Sequence, residues 1–536
     1  MTRETHSQCG GEGGAEAGAE RELKFVADRK TLRAALASPP LGGEAGPPAW
    51  RKLKTVYFDT DEGDLSRARV ALRVRRSRDG WVMGLKRAAA EDRGAFEREE
   101  TEVASPSGDL DLSLFDKATA REITDITGDK SLAPRFGSDI RRAARTIETN
   151  GAAIEVAFDE GFLFAGERRA PTAEIELELK SGPPAALFDL GLALVEAFPV
   201  RLGLQSKAER AHALMSAEPP EPAYAEDPTL RPDTPLDKTI AAVMRNCLAH
   251  FLGNLSALEA GDAVEAVHQM RVAMRRLRSA LGLFGRAFPC AEFEALRAES
   301  ARIAAVLGEA RDWDVFVERL SDGALKRFAQ DPGFDVVLAA AEAKGAAGHA
   351  AVKQAAGGKA VARFALGLER LAAARGWRNG ASEETLAALD QPVDVFAAQW
   401  LEALDRRVRR RGRHFRSLTP EARHALRIAM KHMRYATEFF GGLFHPKSAA
   451  KRYIEKAAAL QDLLGDLNDA AIALRLVKAL GPAKHGQAAY AAGVIAGWCA
   501  RESEGDLVAL RKAWRDFATT APYWRREDKN GRRESA

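Results

Sequence analysis

Between Glu20 and about residue 215, short runs place apolar side chains at every second position, the period of a strand whose two faces meet different surroundings. The clearest is Glu174-Ile175-Glu176-Leu177-Glu178-Leu179-Lys180, where three carboxylates and a lysine alternate with an apolar stripe. Val70, Leu72 and Val74 likewise oppose Arg73 and Arg75, Trp81, Met83 and Leu85 oppose Lys86, and Ile154, Val156 and Phe158 oppose Glu155 and Asp159. Glu20, Glu22 and Lys24 share a face, as do Arg98, Glu100 and Glu102, although in that last run the opposite face is polar too. Beyond residue 235 the period lengthens, and Ala-, Leu- and Arg-rich stretches repeat their apolar positions as amphipathic helices do. From Ser216 to Pro235, prolines at 219, 220, 222, 228, 232 and 235 break all periodicity and predict a semi-rigid linker. The pattern predicts an α+β chain: a tail over 1–19, a strand-rich domain over 20–215, the linker over 216–235, an all-α domain over 236–524, and a charged tail over 525–536, with both tails disordered.

A solvated sheet face is the commonest cause of such alternation, and it ordinarily mixes Thr, Ser, Gln and Lys. Here the polar faces are almost wholly Glu, Arg and Lys, with cationic strands segregated from anionic ones. Closing the strands into an antiparallel β-barrel would gather both signs around one lumen and turn the apolar faces outward under helices. Carboxylates suit hard divalent ions such as Mg²⁺ or Mn²⁺, and guanidinium and ammonium groups suit phosphate oxygens. Together they describe a site for a metal-bound polyphosphate.

The order of these residues resembles the CYTH domain of the triphosphate tunnel metalloenzymes. Glu20-x-Glu22-x-Lys24 is followed by Tyr57-Phe58-Asp59-Thr60, Leu72-Arg73-Val74-Arg75, Leu85-Lys86, Arg98-x-Glu100-x-Glu102, Asp159-Glu160-Gly161, the Glu174 to Lys180 run and Ser206-Lys207-x-x-Arg210. The resemblance implies a β-tunnel that hydrolyses linear triphosphates with Mg²⁺ or Mn²⁺. It implies Glu20, Glu22, Glu102, Asp159, Glu174 and Glu176 as metal-site carboxylates. It implies Lys24, Arg73, Arg75, Lys86, Arg98, Arg141 and Lys207 as triphosphate-binding cations, with Lys24, Lys86 and Arg98 catalytic. Arg141 and Arg142 compete for one arginine position, and Arg141 is favoured because it shares a face with Arg145. Gly84 departs from the Thr that often precedes Leu-Lys in relatives.

The helical half contains a duplication. His268, Arg271, Arg275 and Arg278 have the spacing 0, 3, 7, 10, and His424, Arg427, Lys431 and Arg434 repeat it 156 residues on. Leu307-Gly308-x-x-x-Asp312 recurs as Leu464-Gly465-x-x-x-Asp469, 157 residues on, so this is one large repeat and not a short-period solenoid. On a helix those offsets fall within an arc of about 80°, so each copy projects a histidine and three cations along one stripe. Like charges so placed repel, and an anion that neutralises them explains their retention in both copies. The paired motifs resemble the CHAD domain, which implies two duplicated helical bundles whose basic groove binds inorganic polyphosphate through His268, Arg271, Arg275, Arg278, His424, Arg427, Lys431 and Arg434.

Composition alters the picture only where it averages the two halves. The 80 Lys and Arg against 76 Asp and Glu, a net charge of +4, taken alone suggest no polyanion partner, but the total conceals segregation: in the helical half bases gather on the stripes while acids lie elsewhere. Nucleic acid is not expected, since no aromatics interleave with the histidine motifs as a base-stacking platform would. No apolar run approaches a membrane span, the start lacks a secretory signal, and Cys9, Cys247, Cys290 and Cys499 are too scattered for a disulfide framework or thiolate zinc site. The expected location is the cytoplasm, with polyphosphate granules a candidate point of association. The expected activity is metal-dependent hydrolysis of inorganic triphosphate to diphosphate and phosphate, with polyphosphate held by the helical domain. Two alternatives stand beside it: an organic triphosphate hydrolase acting on thiamine triphosphate or a class IV-type adenylate cyclase, and a non-catalytic polyphosphate-binding scaffold.

Overall fold

The alternating runs pair edge to edge until the last meets the first. The computed structural model describes residues 16–41, 48–88, 96–215, 218–328, 331–480, 486–504 and 507–525, and divides the chain into two units that meet at Glu218 and Pro219. In the first unit the strands are β1 (Glu16–Val26), β2 (Arg51–Asp59), β3 (Val70–Ser77), β4 (Gly80–Ala88), β5 (Glu97–Ser105), β6 (Ala133–Thr149), β7 (Ala152–Ala165), β8 (Arg168–Ser181) and β9 (Arg201–Leu202). They run β5-β4-β3-β2-β6-β7-β8-β1, all antiparallel, and β1 returns to β5 with Glu20 opposite Arg98. The result is the expected closed antiparallel barrel, built of eight strands, with β9 added beside the far end of β1. Of the tail expected over 1–19, residues 16–19 belong to β1 and residues 1–15 lie outside the described residues, as do 526–536 of the C-terminal tail.

The apolar faces turn outward and are covered. The helices of this unit are α1 (Arg29–Leu36), α2 (Asp64–Arg67), α3 (Lys117–Thr127), α4 (Pro184–Ala197) and α5 (Lys207–Ala213). Leu72, Val74, Met83 and Leu85 form one buried cluster with Leu65 of α2 and Ile123 of α3. Helices α1 and α4 pack on β7 and β8, whose Val156, Phe158, Ile175 and Leu177 are wholly buried. Asp59 closes the turn into α2, its carboxylate accepting from the amides of Thr60, Leu65 and Ser66 and from Ser66 Oγ at 2.7–3.0 Å. Asn150 and Gly151, both at positive φ (49° and 73°), make the tight turn between β6 and β7.

The second unit is helical: α6 (Leu236–Gly253), α7 (Leu255–Ala260), α8 (Ala263–Ala287), α9 (Ala291–Asp322), α10 (Ala324–Phe328), α11 (Pro332–Ala356), α12 (Lys359–Ala374), α13 (Glu383–Leu389), α14 (Val393–Arg411), α15 (Pro420–Phe440), α16 (Lys447–Ala479), α17 (Gln487–Glu504) and α18 (Leu507–Thr519). The duplicated motifs fall on corresponding helices, the histidine stripes on α8 and α15 and the Leu-Gly motifs on α9 and α16, which pack as hairpins. Val267, Met270, Met274, Leu277 and Phe284 supply the buried face of α8, and Trp313, Phe316, Phe334, Leu476 and Ile495 join α9, α11, α16 and α17. Among the described residues no helix is long and apolar enough to cross a membrane, and Cys247, Cys290 and Cys499 are free thiols.

Candidate functional site

The charged strand faces enclose a cavity of about 220 Å³. β1 contributes Glu20, Glu22 and Lys24, β3 contributes Arg73 and Arg75, β4 contributes Lys86, and β5 contributes Glu100 and Glu102. Across from them stand Arg142 of β6, Glu155 of β7, and Glu176, Glu178 and Lys180 of β8, with the polar side chains Thr55, Tyr57 and Ser138 between. Lys207 enters from the first turn of α5, which Ser206 and Glu209 fix by a reciprocal capping box.

Acid and base alternate closely enough to neutralise one another. Arg73 pairs with Glu100 and, at 2.5 Å, with Glu102, and Lys86 Nζ stands 2.8 Å from both Glu20 and Glu100. Lys24 pairs with Glu22, and Arg142 with Glu176 and, at 2.7 Å through two nitrogens, with Asp159. Lys207 Nζ lies 2.8 Å from Asp159, 2.8 Å from Glu174 and 2.6 Å from Glu176. Arg75 has the Thr55 hydroxyl at 3.4 Å. A side chain at Gly84 would stand 3.1 Å from Arg73 Nε, so the glycine leaves the space that the guanidinium fills.

The pairing sets the protonation states. Burial works against the charges of Arg73, Lys86, Arg142 and Lys207, but the flanking carboxylates outweigh it and hold all four above their ordinary values. Burial opposes ionisation of Glu100 too, yet Arg73 and Lys86 bring it down to about 2, and Lys207 and Arg142 hold Glu176 well below the carboxylate range. Glu20 is pushed up to about 7, because burial and the neighbouring Glu100 outweigh Lys86.

A second cavity, of about 640 Å³, lies within the helical unit where the two hairpins meet. His268, Arg271 and Arg275 of α8 face Arg427, Lys431 and Arg434 of α15 across it. Arg276, Arg311 and Arg319 add further cations, and the acids Asp312, Asp462, Asp466 and Asp469 come from α9 and α16. A side chain at Gly308 would begin 2.6 Å from Arg271 Nη1, so the first Leu-Gly motif makes room for the first stripe. Burial, and after it Arg311, holds the His268 imidazole below its usual value. Burial and the nearby arginines, Arg275 and Arg427 first among them, lower Lys431 to about 8.

Residues 18–211 match the CYTH domain, and residues 242–478 match the CHAD domain. The chain joins a CYTH domain to a CHAD domain. Over 174 residues it is 30% identical to the inorganic triphosphatase of Haemophilus influenzae (strain ATCC 51907 / DSM 11121 / KW20 / Rd), covering 31% of this chain and 47% of that protein. Over 291 residues it is 28% identical to an uncharacterized protein of Mycobacterium tuberculosis (strain CDC 1551 / Oshkosh), covering 50% of this chain and 53% of that protein. It thus spans about half the length of these curated relatives. The crystal structure of the CHAD domain from the plant Ricinus communis is 30% identical, covers 56% of this chain and 97% of that chain, and superposes with a TM-score of 0.48.

Within the CYTH domain, the structure brings Glu20, Glu22, Lys24, Arg73, Arg75, Lys86, Glu102, Glu176 and Lys207 together at the lumen. Asp159 and Glu174, 0% and 2% exposed, share the inward faces of Glu155 and Glu176 but lie beyond the residues that line the cavity, where they hold Lys207 in place. Arg98 is on the same face of β5 as Glu100 and Glu102 but is not among the residues that line the cavity, donating instead to Leu204 O at 3.3 Å and standing 3.7 Å from Glu209. Arg141 is on the outer face, paired with Glu160 and 5.5 Å over the Trp50 ring, and Arg142 occupies the lumen in its stead. Arg145 also lies outside, over the Phe158 ring, so sharing its face marks the wrong side. The hairpin turn could have found Arg142: counting outward from Asn150-Gly151 pairs position 142 with Asp159, a residue already placed among the lumen acids. Glu100, Glu155, Glu178 and Lys180, which the alternation places on charged faces, also line the cavity and lie outside the set that the resemblance implies.

The lumen donors are carboxylate oxygens, the chemistry that hard divalent ions take. Among the described residues no three potential ligands converge ready-made, because a cation stands between neighbouring carboxylates. In the CHAD domain, Arg278 and His424 are exposed and lie off the cavity, which takes the first three members of one stripe and the last three of the other. The acids expected elsewhere line the same cavity, since the Leu-Gly motifs that carry them face the stripes.

Proposed function

We propose that the CYTH domain hydrolyses inorganic triphosphate to diphosphate and phosphate with Mg²⁺ or Mn²⁺, and that the CHAD domain binds longer polyphosphate. The observation that carries this reading is the closed lumen, where Arg73, Lys86, Arg142 and Lys207 alternate with carboxylates. The relative from Haemophilus influenzae, an inorganic triphosphatase, supports the same substrate class. On this reading, phosphate oxygens replace carboxylates as partners of the four cations, and Arg75 meets the anion first because among the described residues it has a hydroxyl and no carboxylate to give up. Glu20, Glu22 and Glu176, released from their cations, would hold the metal. When bound, the metal neutralises phosphate charge and lowers the pKa of the attacking water. The protein's own part is positioning: capping holds Lys207 against β8, and the space over Gly84 holds Arg73 against β5.

Phosphate release from tripolyphosphate, ATP and thiamine triphosphate, measured side by side with each metal, tests it. Tripolyphosphate is expected to be turned over fastest, EDTA to stop release, and Glu20→Ala or Lys86→Ala nearly to abolish it without unfolding the protein. Full activity in either variant would remove the site, and faster turnover of an organic triphosphate would replace the substrate.

A further inference from the structure

The proline-rich segment between the two units folds back on the helical one. Asn254, wholly buried at the end of α6, holds the backbone of Ala223 twice, donating from Nδ2 to its carbonyl at 2.9 Å and accepting from its amide at 3.1 Å. Pro220 O lies 2.2 Å from where a side chain at Gly261 would begin, an approach only glycine admits. Farther along, Glu226 O accepts from Arg276 Nη2 at 2.8 Å, and Ala225 and Asp227 form part of the wall of the 640 Å³ cavity.

Arg276 serves both sides of this arrangement. It is 1% exposed and lines the same cavity, and among the described residues its Nε and Nη1 have no hydrogen-bond acceptor, although Glu438 stands 3.7 Å from Nε. A buried guanidinium with unspent donors on a cavity wall is a place for an anion oxygen. The two uses do not compete, because the carbonyl takes Nη2 and leaves Nε and Nη1.

We propose that residues 219–227 are a wall of the anion cavity, fastened by Asn254 and Arg276, and that anion binding and fastening strengthen each other through Arg276. The inference rests on polyphosphate binding by the CHAD domain. Arg276 is then a positioning residue: an anion on Nε and Nη1 fixes the guanidinium plane, and Nη2 keeps its hold on the segment. Reciprocity requires that loosening the segment weaken the anion by the same factor by which the anion tightens the segment. Asp227 acts in the opposite sense, placing a carboxylate on the rim that repels the ligand.

Amide hydrogen exchange of the full-length protein, with and without saturating long-chain polyphosphate, reads the segment directly. Polyphosphate should slow exchange at Ala223 and its neighbours, and Asn254→Ala should weaken binding about two- to fivefold. Asp227→Asn, an exposed change that leaves the fold intact, should tighten binding by about two- to fivefold. Binding with unchanged exchange in this segment and unchanged affinity in Asp227→Asn sinks the coupling alone. Absence of polyphosphate binding sinks both this inference and the reading beneath it.

Discussion

Arg141 and Arg142 are adjacent and chemically identical, yet one stacks on Trp50 outside the barrel and the other bridges Asp159 and Glu176 at the lumen. Lysine keeps the charge but loses the two-pronged geometry. Arg142→Lys should therefore lower tripolyphosphate turnover about tenfold or more, and Arg141→Lys should leave it within about twofold, in steady-state assays of both variants. The charged faces of β3, β4 and β8 were legible because each opposes an apolar stripe, and that of β1 because Leu23 and Phe25 oppose Glu22 and Lys24. β6 was not, because Ala and Arg occupy both of its faces, and only pairing to β7 tells inside from outside. Lys431 gives a second test at this scale. With its ammonium lowered to about 8, mainly by burial, it is charged below that pH and neutral above it. Polyphosphate affinity should fall as pH rises from 7 to 9, and Lys431→Arg should flatten the profile. Stability moves the other way: between about 8 and the ordinary lysine value the unfolded chain binds more protons, so the folded state gains as pH rises.

At the scale of elements, the duplicated Leu-Gly motif has two different uses. Arg271 lies over Gly308, whereas a side chain at Gly465 would meet nothing within 4 Å. Gly308→Ala should displace the mobile end of Arg271 and weaken polyphosphate binding several-fold with little change in melting temperature. Gly465→Ala, which adds one methyl to the cavity wall without displacing any cation, should weaken binding less than Gly308→Ala and stabilise α16 by up to about 1 kcal/mol, seen as a higher melting temperature. The helices and their stripes were readable from spacing alone, because 0, 3, 7, 10 is a property of one helix. Which stripe members reach the cavity was not, because it depends on how α8 and α15 cross, and that crossing leaves Arg278 and His424 outside. The anchoring of the proline-rich segment is not readable for a related reason: its prolines describe an extended path, but its anchors, Asn254 and Arg276, lie on helices farther along the chain.

At the scale of the whole molecule, the near-neutral composition recurs inside both cavities. The CHAD cavity sets eight lysines and arginines against six carboxylates, and the CYTH lumen sets seven against seven. An excess of two charges predicts that a fourfold rise in salt weakens polyphosphate about tenfold, where eight unopposed cations would give a loss of more than about a thousandfold. Titrations at 50 and 200 mM salt decide between them. The pairing around Arg73 and Lys86 has a consequence for which anions can enter. An empty lumen whose cations already touch carboxylates is its own competitor, always present at high local concentration and never diluted. A lone phosphate displaces one or two of those internal partners and is readily displaced in turn. A linear triphosphate exchanges several at once and cannot be removed one contact at a time, so chain length itself becomes the entry requirement.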